Sequence, residues 1–153
     1  MMQRNTLIGL AAGGSLALLL TAFAFQHLGG LAPCKLCLWQ RWPHVAAVAV
    51  GIAAIVIRGR LLPALGMVAA LTTAAIGLYH TGVERGWWQG PTTCSATPST
   101  GLSDADLFDQ IVNAPVIRCD EVVWQVASLS MASWNALAAL ALAALWYLAL
   151  RKS

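Results

Sequence analysis

The stretch Pro33–Ile57, PCKLCLWQRWPHVAAVAVGIAAIVI, places Cys34 and Cys37 at the start of a long apolar segment. Pro33 ends any preceding helix and suits the start of the next one, so Cys37 should lie in the first helical turn. A helix N-terminus carries unpaired N–H groups and partial positive charge, which stabilise a thiolate. Arg41 follows Cys37 by one turn, on the same helix face. The stretch therefore predicts a membrane helix that begins with a redox-active Cys-x-x-Cys pair.

The composition of the whole chain agrees with a membrane location. The 153 residues are 59% hydrophobic and only 10% charged, whereas an ordinary soluble domain carries about 25% charged residues. A soluble core of this size could not bury so much apolar surface, so lipid is the expected solvent. The nine basic residues are scattered along the chain and form no stripe that would bind nucleic acid.

Four apolar segments are long enough to cross a bilayer core, which takes about 20 helical residues. They predict spans over residues 7–25, 38–57, 61–81 and 122–150, with a polar loop over 82–121. The runs are continuous rather than alternating, which indicates helices and not a barrel. We therefore expect an all-α membrane protein, a four-transmembrane-helix bundle in a single domain over 1–153, whose outer loop carries a short amphipathic helix around Leu107. The first segment also resembles a signal peptide, but its apolar run is longer than the usual signal core.

The placement of charges and cysteines predicts the orientation in the membrane. With four spans, both termini and the turn Arg58-Gly59-Arg60 lie on one side, and all four cysteines lie on the other. Basic loops favour the cytoplasm, and disulfides persist outside it. We therefore expect cytoplasmic termini and extracytoplasmic cysteines. Tryptophans near the predicted helix ends fit an aromatic belt at each membrane interface.

A second pair of cysteines, Cys94 and Cys119, brackets most of the polar loop. Two dithiols on one face of a membrane suggest electron relay by thiol–disulfide exchange. A structural disulfide that closes the loop is the plain alternative. The spacing lacks the paired knuckles of a zinc site, and no histidine follows Cys37 directly as covalent haem attachment requires, so we expect no metal.

The polar residues near the Cys-x-x-Cys pair have two interpretations. Arg41 stands one turn from a thiol, or its cation snorkels to the membrane interface. His27, His44 and His80 suit a proton-coupled electron carrier, yet each is equally compatible with an interfacial hydrogen-bonding role. The chain has no haem or flavin motif, so a diffusible quinone in the membrane is the simplest electron acceptor.

These residues resemble the DsbB family of membrane proteins, which reoxidise a periplasmic thiol oxidase of the DsbA type and pass the electrons to quinone. The resemblance rests on Phe25-Gln26-His27, on Pro33-Cys34-x-x-Cys37 followed by Arg41, and on Cys94 and Cys119 in the second outer loop. It covers essentially the whole chain. It implies a disulfide-generating oxidoreductase of the bacterial inner membrane, with ubiquinone or menaquinone as the carrier and a DsbA-type protein as the partner.

The resemblance also implies the role of each site residue. The catalytic residues would be the four cysteines, Cys34, Cys37, Cys94 and Cys119. The reduced partner would attack the Cys94–Cys119 disulfide at Cys94, and Cys119 would then exchange with Cys34. Cys37 would be freed as a thiolate facing the quinone.

The same resemblance supplies a quinone-binding set of Cys37, Arg41 and His80. Arg41 would hold a quinone oxygen or the thiolate, and His80 matches a family histidine at the end of the third span. Gln40 departs from the acid that can occur before the arginine in relatives.

Two other functions are compatible with the same residues. A vitamin K epoxide reductase-like enzyme is also a small thiol-based helical bundle, but its loop cysteines normally precede the Cys-x-x-Cys pair, the reverse of the order here. A non-enzymatic membrane scaffold with two structural disulfides would need no thiol reactivity at Cys37.

Overall fold

The computed structural model describes residues 3–91 and 118–153. Within these two ranges the chain forms four helices, α1 Arg4–His27, α2 Lys35–Val56, α3 Leu61–Glu84 and α4 Met131–Leu150. Two short antiparallel strands, β1 Gln125–Val126 and β2 Leu129–Ser130, form a hairpin before α4. The predicted amphipathic helix around Leu107 and the cysteine at position 94 lie outside the described residues.

The start of α2, at the Cys-x-x-Cys pair, follows from the local sequence. Pro33 lies in the non-helical segment between α1 and α2, and Cys34 is the N-cap residue of α2. The Cys34 sulfur accepts a hydrogen bond from the Cys37 backbone N–H at 3.2 Å, which satisfies one of the unpaired N–H groups of the first turn. The prediction that Cys37 lies in the first turn of this helix is therefore confirmed.

The predicted fourth span, 122–150, was wrong at its start. Its first residues form the β-hairpin, and Ala127 and Ser128 occupy the left-handed region with φ of 52° and 61°, as a two-residue hairpin turn requires. Helix α4 begins only after Ser130, whose hydroxyl accepts from the Ser133 N–H at 3.2 Å. The predicted span began too early because the residues before α4 are rich in valine. Valine suits extended backbone as well as a buried helix, so hydrophobicity alone does not separate the two.

The four helices form a closed ring in which α1 contacts α2 and α4, and α3 contacts α2 and α4. At one end of the ring, the indole of Trp146 is fully buried and lies against Gly66. A Cβ on that glycine would approach the indole to 2.5 Å, so only glycine permits the close contact between α3 and α4.

Residues near the two ends of the chain, Arg4 and Ser153, meet at this end of the bundle. The Arg4 guanidinium donates to the Ala54 carbonyl at 2.9 Å near the end of α2, and to the Ser153 hydroxyl at 2.8 Å. The Cys-x-x-Cys pair starts α2 and therefore lies at the opposite end of the same helix. Arg4 and Ser153 therefore lie at the end of the bundle opposite to the dithiol, and the predicted membrane sidedness of termini and cysteines stays a prediction.

The outer surface of the bundle is apolar. Helices α1, α3 and α4 are each long and apolar enough to cross a membrane, as judged by length and composition within the described ranges. Large apolar side chains face outward on every helix, for example Leu20, Ile52, Val68 and Leu137. A surface of this kind is stable in lipid rather than in water, so the structure fits a multi-pass, helical membrane protein.

Candidate functional site

The site is built around the two thiols at the start of α2. Cys34 and Cys37 are free, and their sulfur atoms lie 2.9 Å apart. Cys34 is buried with 6% of its surface exposed, whereas Cys37 is half-buried. The hydrogen bond to the Cys37 sulfur and then burial raise the pKa of the Cys34 thiol. Cys34 is therefore the sulfur of the pair that keeps its proton.

Cys119 reaches the same region from the other side of the polar loop. It is disulfide-bonded and is not bonded to Cys34 or Cys37, which are both free thiols. Cys119 is buried in a small cluster with Cys34, Leu36 and Val83. The structure thus brings three of the four predicted catalytic cysteines together, and the fourth lies outside the described residues.

His80, in the last turns of α3, connects this cluster to the interior of the bundle. Its Nε2 lies 3.6 Å from the Cys34 sulfur and 3.8 Å from the Glu84 carboxylate, and the ring also hydrogen-bonds the backbone of Cys119. Its other nitrogen, Nδ1, lies 3.0 Å from the Gln40 side-chain nitrogen. His80 thus lies near the end of the third helix, close to the thiols, and its predicted part in quinone binding stays a prediction.

A polar network continues from His80 across the centre of the bundle. The side-chain nitrogen of Asn135 on α4 donates to Gln40 Oε1 at 2.8 Å and to the Thr73 hydroxyl at 3.2 Å. The Asn135 oxygen lies 3.0 Å from Nε2 of His44. Helices α2 and α4 lie diagonally across the ring, so these bonds join two elements that are not direct packing neighbours.

Arg41 points away from this network and towards α1. Its guanidinium donates to Gln26 Oε1 at 2.7 Å and stacks 4.9 Å from the centre of the Phe23 ring. These partners hold a cation in an apolar surrounding by a hydrogen bond and a cation–π contact. Gln26 belongs to the Phe25-Gln26-His27 run, so α1 supplies the residue that orients the arginine.

A cavity of about 540 Å³ lies between these groups. Cys34, Cys37, Arg41 and His80 all line it, so every predicted site residue within the described ranges faces one space, except Cys119. The rest of the wall is mostly apolar and includes Leu18, Leu19, Phe25, Trp124, Met131 and Trp134. Arg118 also lines the cavity, and its hydrogen bond lowers the pKa of the Asp120 carboxyl.

Sequence reasoning missed the residues that complete the site. Asn135 and Thr73 carry no motif, and only the packing of α3 and α4 brings them to Gln40. Gln40 and His44 were named from the sequence but not as partners in one network, although Cys37, Gln40, Arg41 and His44 recur at the three- and four-residue spacing of one helix face.

The two thiols and His80 also have the spacing of a metal site. Both sulfurs and a ring nitrogen lie within 4.8 Å of one another, which a thiophilic ion could bridge. The Gln40 amide, however, donates to Nδ1, so neutral His80 carries its proton on Nε2, the nitrogen beside the thiols. A metal ion bound to Nε2 would move the ring proton to Nδ1 and so break the hydrogen bond from the Gln40 amide. The expectation of no metal stays a prediction.

The fold and the site together define an apolar helical bundle that holds a free dithiol beside a mostly apolar cavity. The family model "Disulfide bond formation protein DsbB" matches residues 4–149. The chain therefore belongs to the DsbB family, as its Cys-x-x-Cys pair, arginine and loop cysteines predicted.

Individual relatives agree with this assignment. Disulfide bond formation protein B 2 of Pseudomonas aeruginosa is 30% identical over 130 residues, which cover 80% of this chain and 76% of the relative. Disulfide bond formation protein B of Haemophilus influenzae is 30% identical over 135 residues, covering 82% and 73%. An uncharacterised protein of Rickettsia prowazekii is 26% identical over 127 residues, covering 80% and 74%. No solved structure matches the chain significantly.

Proposed function

We propose that this chain is a protein-thiol:quinone oxidoreductase that reoxidises a periplasmic DsbA-type dithiol oxidase and passes the electrons to quinone. The observation that carries the proposal is the placement of the thiols. The free pair Cys34 and Cys37 lines a mostly apolar cavity, while disulfide-bonded Cys119 is buried in the same cluster as Cys34. A dithiol between a second disulfide and an apolar cavity is suited to relay electrons from one to the other.

The relay is a series of thiol–disulfide exchanges that conserves electrons and protons. A thiolate of the reduced partner attacks the Cys94–Cys119 disulfide at Cys94, and the second partner thiol resolves the mixed disulfide. The partner leaves oxidised, and two electrons and two protons have moved to Cys94 and Cys119. Cys119 then attacks Cys34 of a Cys34–Cys37 disulfide and frees Cys37, and Cys94 attacks Cys119 to re-form the Cys94–Cys119 disulfide, so that two electrons and two protons reach the pair beside the cavity. Its proximity to Cys34 makes Cys119 the suitable attacking sulfur.

The cavity suits a quinone ring. Its volume falls within the range of about 300–1,000 Å³ typical of small-molecule sites, and most of its wall is apolar. Arg41 would hold a ring oxygen as a fixed donor, with Cys37 beside it and His80 behind the thiols. When bound, a quinone supplies an acceptor of two electrons and two protons. The quinone is ubiquinone or menaquinone.

The proposal places the protein in the bacterial inner membrane. Helix α2 would be the fourth span, since its 22 residues match the length of its neighbours and its outward face is apolar. Both termini would be cytoplasmic and the thiols periplasmic, where a DsbA-type partner is found. This orientation is supported by the basic turn between α2 and α3, at the same end of the bundle as Arg4.

The test is quinone reduction by the purified protein in detergent, with a reduced DsbA-type protein as substrate. We expect one quinone to be reduced for each disulfide formed, and Cys37→Ser to abolish the reaction. Leu38→Ser, at the next position on the exposed face of α2, is the matched control and should retain activity. Disulfides that resist mild thiols, together with no quinone turnover, would favour the scaffold function instead.

A further inference from the structure

One buried carboxyl group at the thiol site has no role in the thiol relay. Glu84, the last residue of α3, has a side chain that is 7% exposed, and its Oε1 lies 3.8 Å from Nε2 of His80. The same nitrogen lies 3.6 Å from the Cys34 sulfur. Because the Gln40 amide occupies Nδ1, the proton of neutral His80 is on Nε2. The carboxyl group and the sulfur are therefore alternative acceptors for one N–H group.

The surroundings of Glu84 do not suit a permanent anion. Its Oε2 is buried and has no hydrogen-bond partner among the described residues. Arg85, the next residue, stacks 5.5 Å from the centre of the Trp87 ring and forms no ion pair with Glu84 in the described ranges. A buried carboxylate needs a cation or several donors to stay ionised. In this structure, where Cys34 and Cys37 are free thiols, Glu84 therefore suits the neutral acid.

The negative charge of the reduced site belongs on Cys37 instead. Because Cys34 keeps its proton, Cys37 is the sulfur of the pair that ionises. Arg41 attracts and Glu84 repels a negative charge on the Cys37 sulfur. A thiolate and a carboxylate here would oppose each other, whereas either one alone balances the cation of Arg41. The site therefore favours one negative charge at a time.

The other titratable and charged groups near Glu84 leave this balance unchanged. Within the described residues they are neutral, already paired or open to water. They are, in that order, His80 with its Nδ1 occupied by Gln40, disulfide-bonded Cys119, Arg118 in its ion pair with Asp120, and the exposed side chains of Arg85 and Glu121. The start of α4 contributes hydroxyl groups rather than charges, and the Ser130 hydroxyl bonds the Glu84 carboxyl group.

A second cavity gives Glu84 a route to water. It has a volume of about 360 Å³, is lined mostly by polar residues that include Ser130, and lies where α3 ends and α4 begins. Glu84 is the one residue that lines both this cavity and the cavity beside the thiols. A polar cavity of this size holds water. A proton can therefore reach Glu84 through the Ser130 hydroxyl without passing the apolar wall around the thiols.

We propose that Glu84 takes up one proton when the Cys34–Cys37 disulfide is reduced and releases it when the disulfide re-forms. The inference deepens the proposed function and rests on it for the source and the acceptor of the electrons. On reduction the S–S bond breaks, two electrons and one proton give the Cys34 thiol and the Cys37 thiolate, and a second proton neutralises the Glu84 carboxylate.

Reoxidation reverses this step. The S–S bond re-forms, and the site gives up two electrons together with two protons, one from Cys34 and one from Glu84. These are the numbers of electrons and protons that a quinone accepts. One negative charge thus passes from Glu84 to Cys37 on reduction and returns on reoxidation. Glu84 acts through the charge of Cys37 and needs no contact with the carrier.

The first test is the pH dependence of the reduction potential of the pair. Chelator-treated protein in detergent is equilibrated with dithiothreitol redox buffers, and the reduced fraction of Cys37 is read by alkylation and peptide mass spectrometry. At neutral pH the native pair should take up two protons for two electrons, and Glu84→Gln only one. The potential should therefore fall half as steeply per pH unit in Glu84→Gln as in the native protein.

Two controls separate this effect from a structural one. Glu84→Asp keeps a carboxyl group and should keep the native slope, and so should Glu121→Gln, at an exposed position that also lines the thiol cavity. A purely structural role of Glu84 would shift the potential but leave its slope unchanged. Equal slopes in the native protein and Glu84→Gln would overturn the inference.

The second test detects the proton on the carboxyl group. Infrared difference spectra between the reduced and the oxidised protein should show the C=O stretch of a protonated carboxyl group in the reduced state. This band should be absent from Glu84→Gln and present in Glu121→Gln. Its absence from the native protein, or its presence in Glu84→Gln, would refute proton uptake by Glu84.

Neither test contains quinone, so the inference and the proposed function fail separately. A native protein that reduces quinone, with the same slope in Glu84→Gln, would overturn the inference and leave the proposed function standing. A native protein that shows the carboxyl band and the two-proton slope but reduces no quinone would refute the proposed function and leave proton uptake at Glu84 standing.

Discussion

Replacing Gln40 by leucine tests whether the polar network stabilises the bundle. The side chain of Gln40 is 6% exposed and that of His80 is similarly buried. Leucine has a similar volume but no polar atoms, so Nδ1 of His80 and one N–H of half-buried Asn135 lose their partners. Each unsatisfied buried group costs about 1–3 kcal/mol. Because Asn135 keeps its bond to Thr73, we expect the free energy of unfolding to fall by about 2–4 kcal/mol.

The assay is reversible unfolding by SDS in mixed micelles, followed by the loss of helical circular dichroism. Gln89→Leu makes the same replacement at an exposed site and should change the free energy of unfolding by less than about 0.5 kcal/mol. The double variant with Asn135→Leu should be less destabilised than the sum of the two single variants, with a coupling of about 0.5–3 kcal/mol. Additive losses, or a loss for Gln40→Leu no larger than that of the control, would show that these bonds do not act as a network.

Two further predictions concern the opposite end of the bundle, and both are measured in the same SDS titration. Arg4→Ala should lower the free energy of unfolding by about 1–2 kcal/mol, because the guanidinium caps carbonyls at the end of α2, whereas exposed Arg58→Ala should have little effect. Gly66→Ala should cost about 1–3 kcal/mol, since the new methyl group meets the indole of Trp146. Gly9→Ala is its control, because a Cβ there meets nothing within 4 Å. If Arg4→Ala has the same free energy of unfolding as Arg58→Ala, the Arg4 hydrogen bonds do not stabilise the bundle. If Gly66→Ala has the same free energy of unfolding as Gly9→Ala, the contact between Gly66 and Trp146 is not needed for stability.

The sequence predicts most of the bundle because lipid imposes a simple rule on helix length. Spans 7–25, 38–57 and 61–81 all fall within or very close to α1, α2 and α3. The rule fails at the start of α4, where hydrophobicity alone cannot separate an apolar hairpin from an apolar helix. The signal that decides the boundary is Ser130, an N-cap residue within an apolar run, and the sequence analysis did not use it.

The spacing along the chain predicted only the part of the site on α2, whereas Cys119 and His80, which lie near Cys34, were predicted from the family resemblance. The spacing of Cys37 and Arg41 along α2 is enough to place both on one face, and both line the cavity. The partners of that face come from other helices, and their register is set by packing. Asn135 meets Gln40 because α3 packs closely against both α2 and α4, and the sequence around Asn135 carries no pattern that predicts this contact.

The buried face of α2 explains how one small bundle combines a rigid frame with an open site. Towards its end, this face consists of Ala47, Gly51 and Ala54, whose small side chains let α2 approach its neighbours closely. Towards its start, the same face carries Gln40 and His44, which need partners at hydrogen-bond distance. The helices there are joined by directed hydrogen bonds rather than by tight apolar packing, and the cavity lies beside them. The polar residues therefore replace the packing that the cavity removes, which is why their loss should destabilise the fold as well as disturb the thiols.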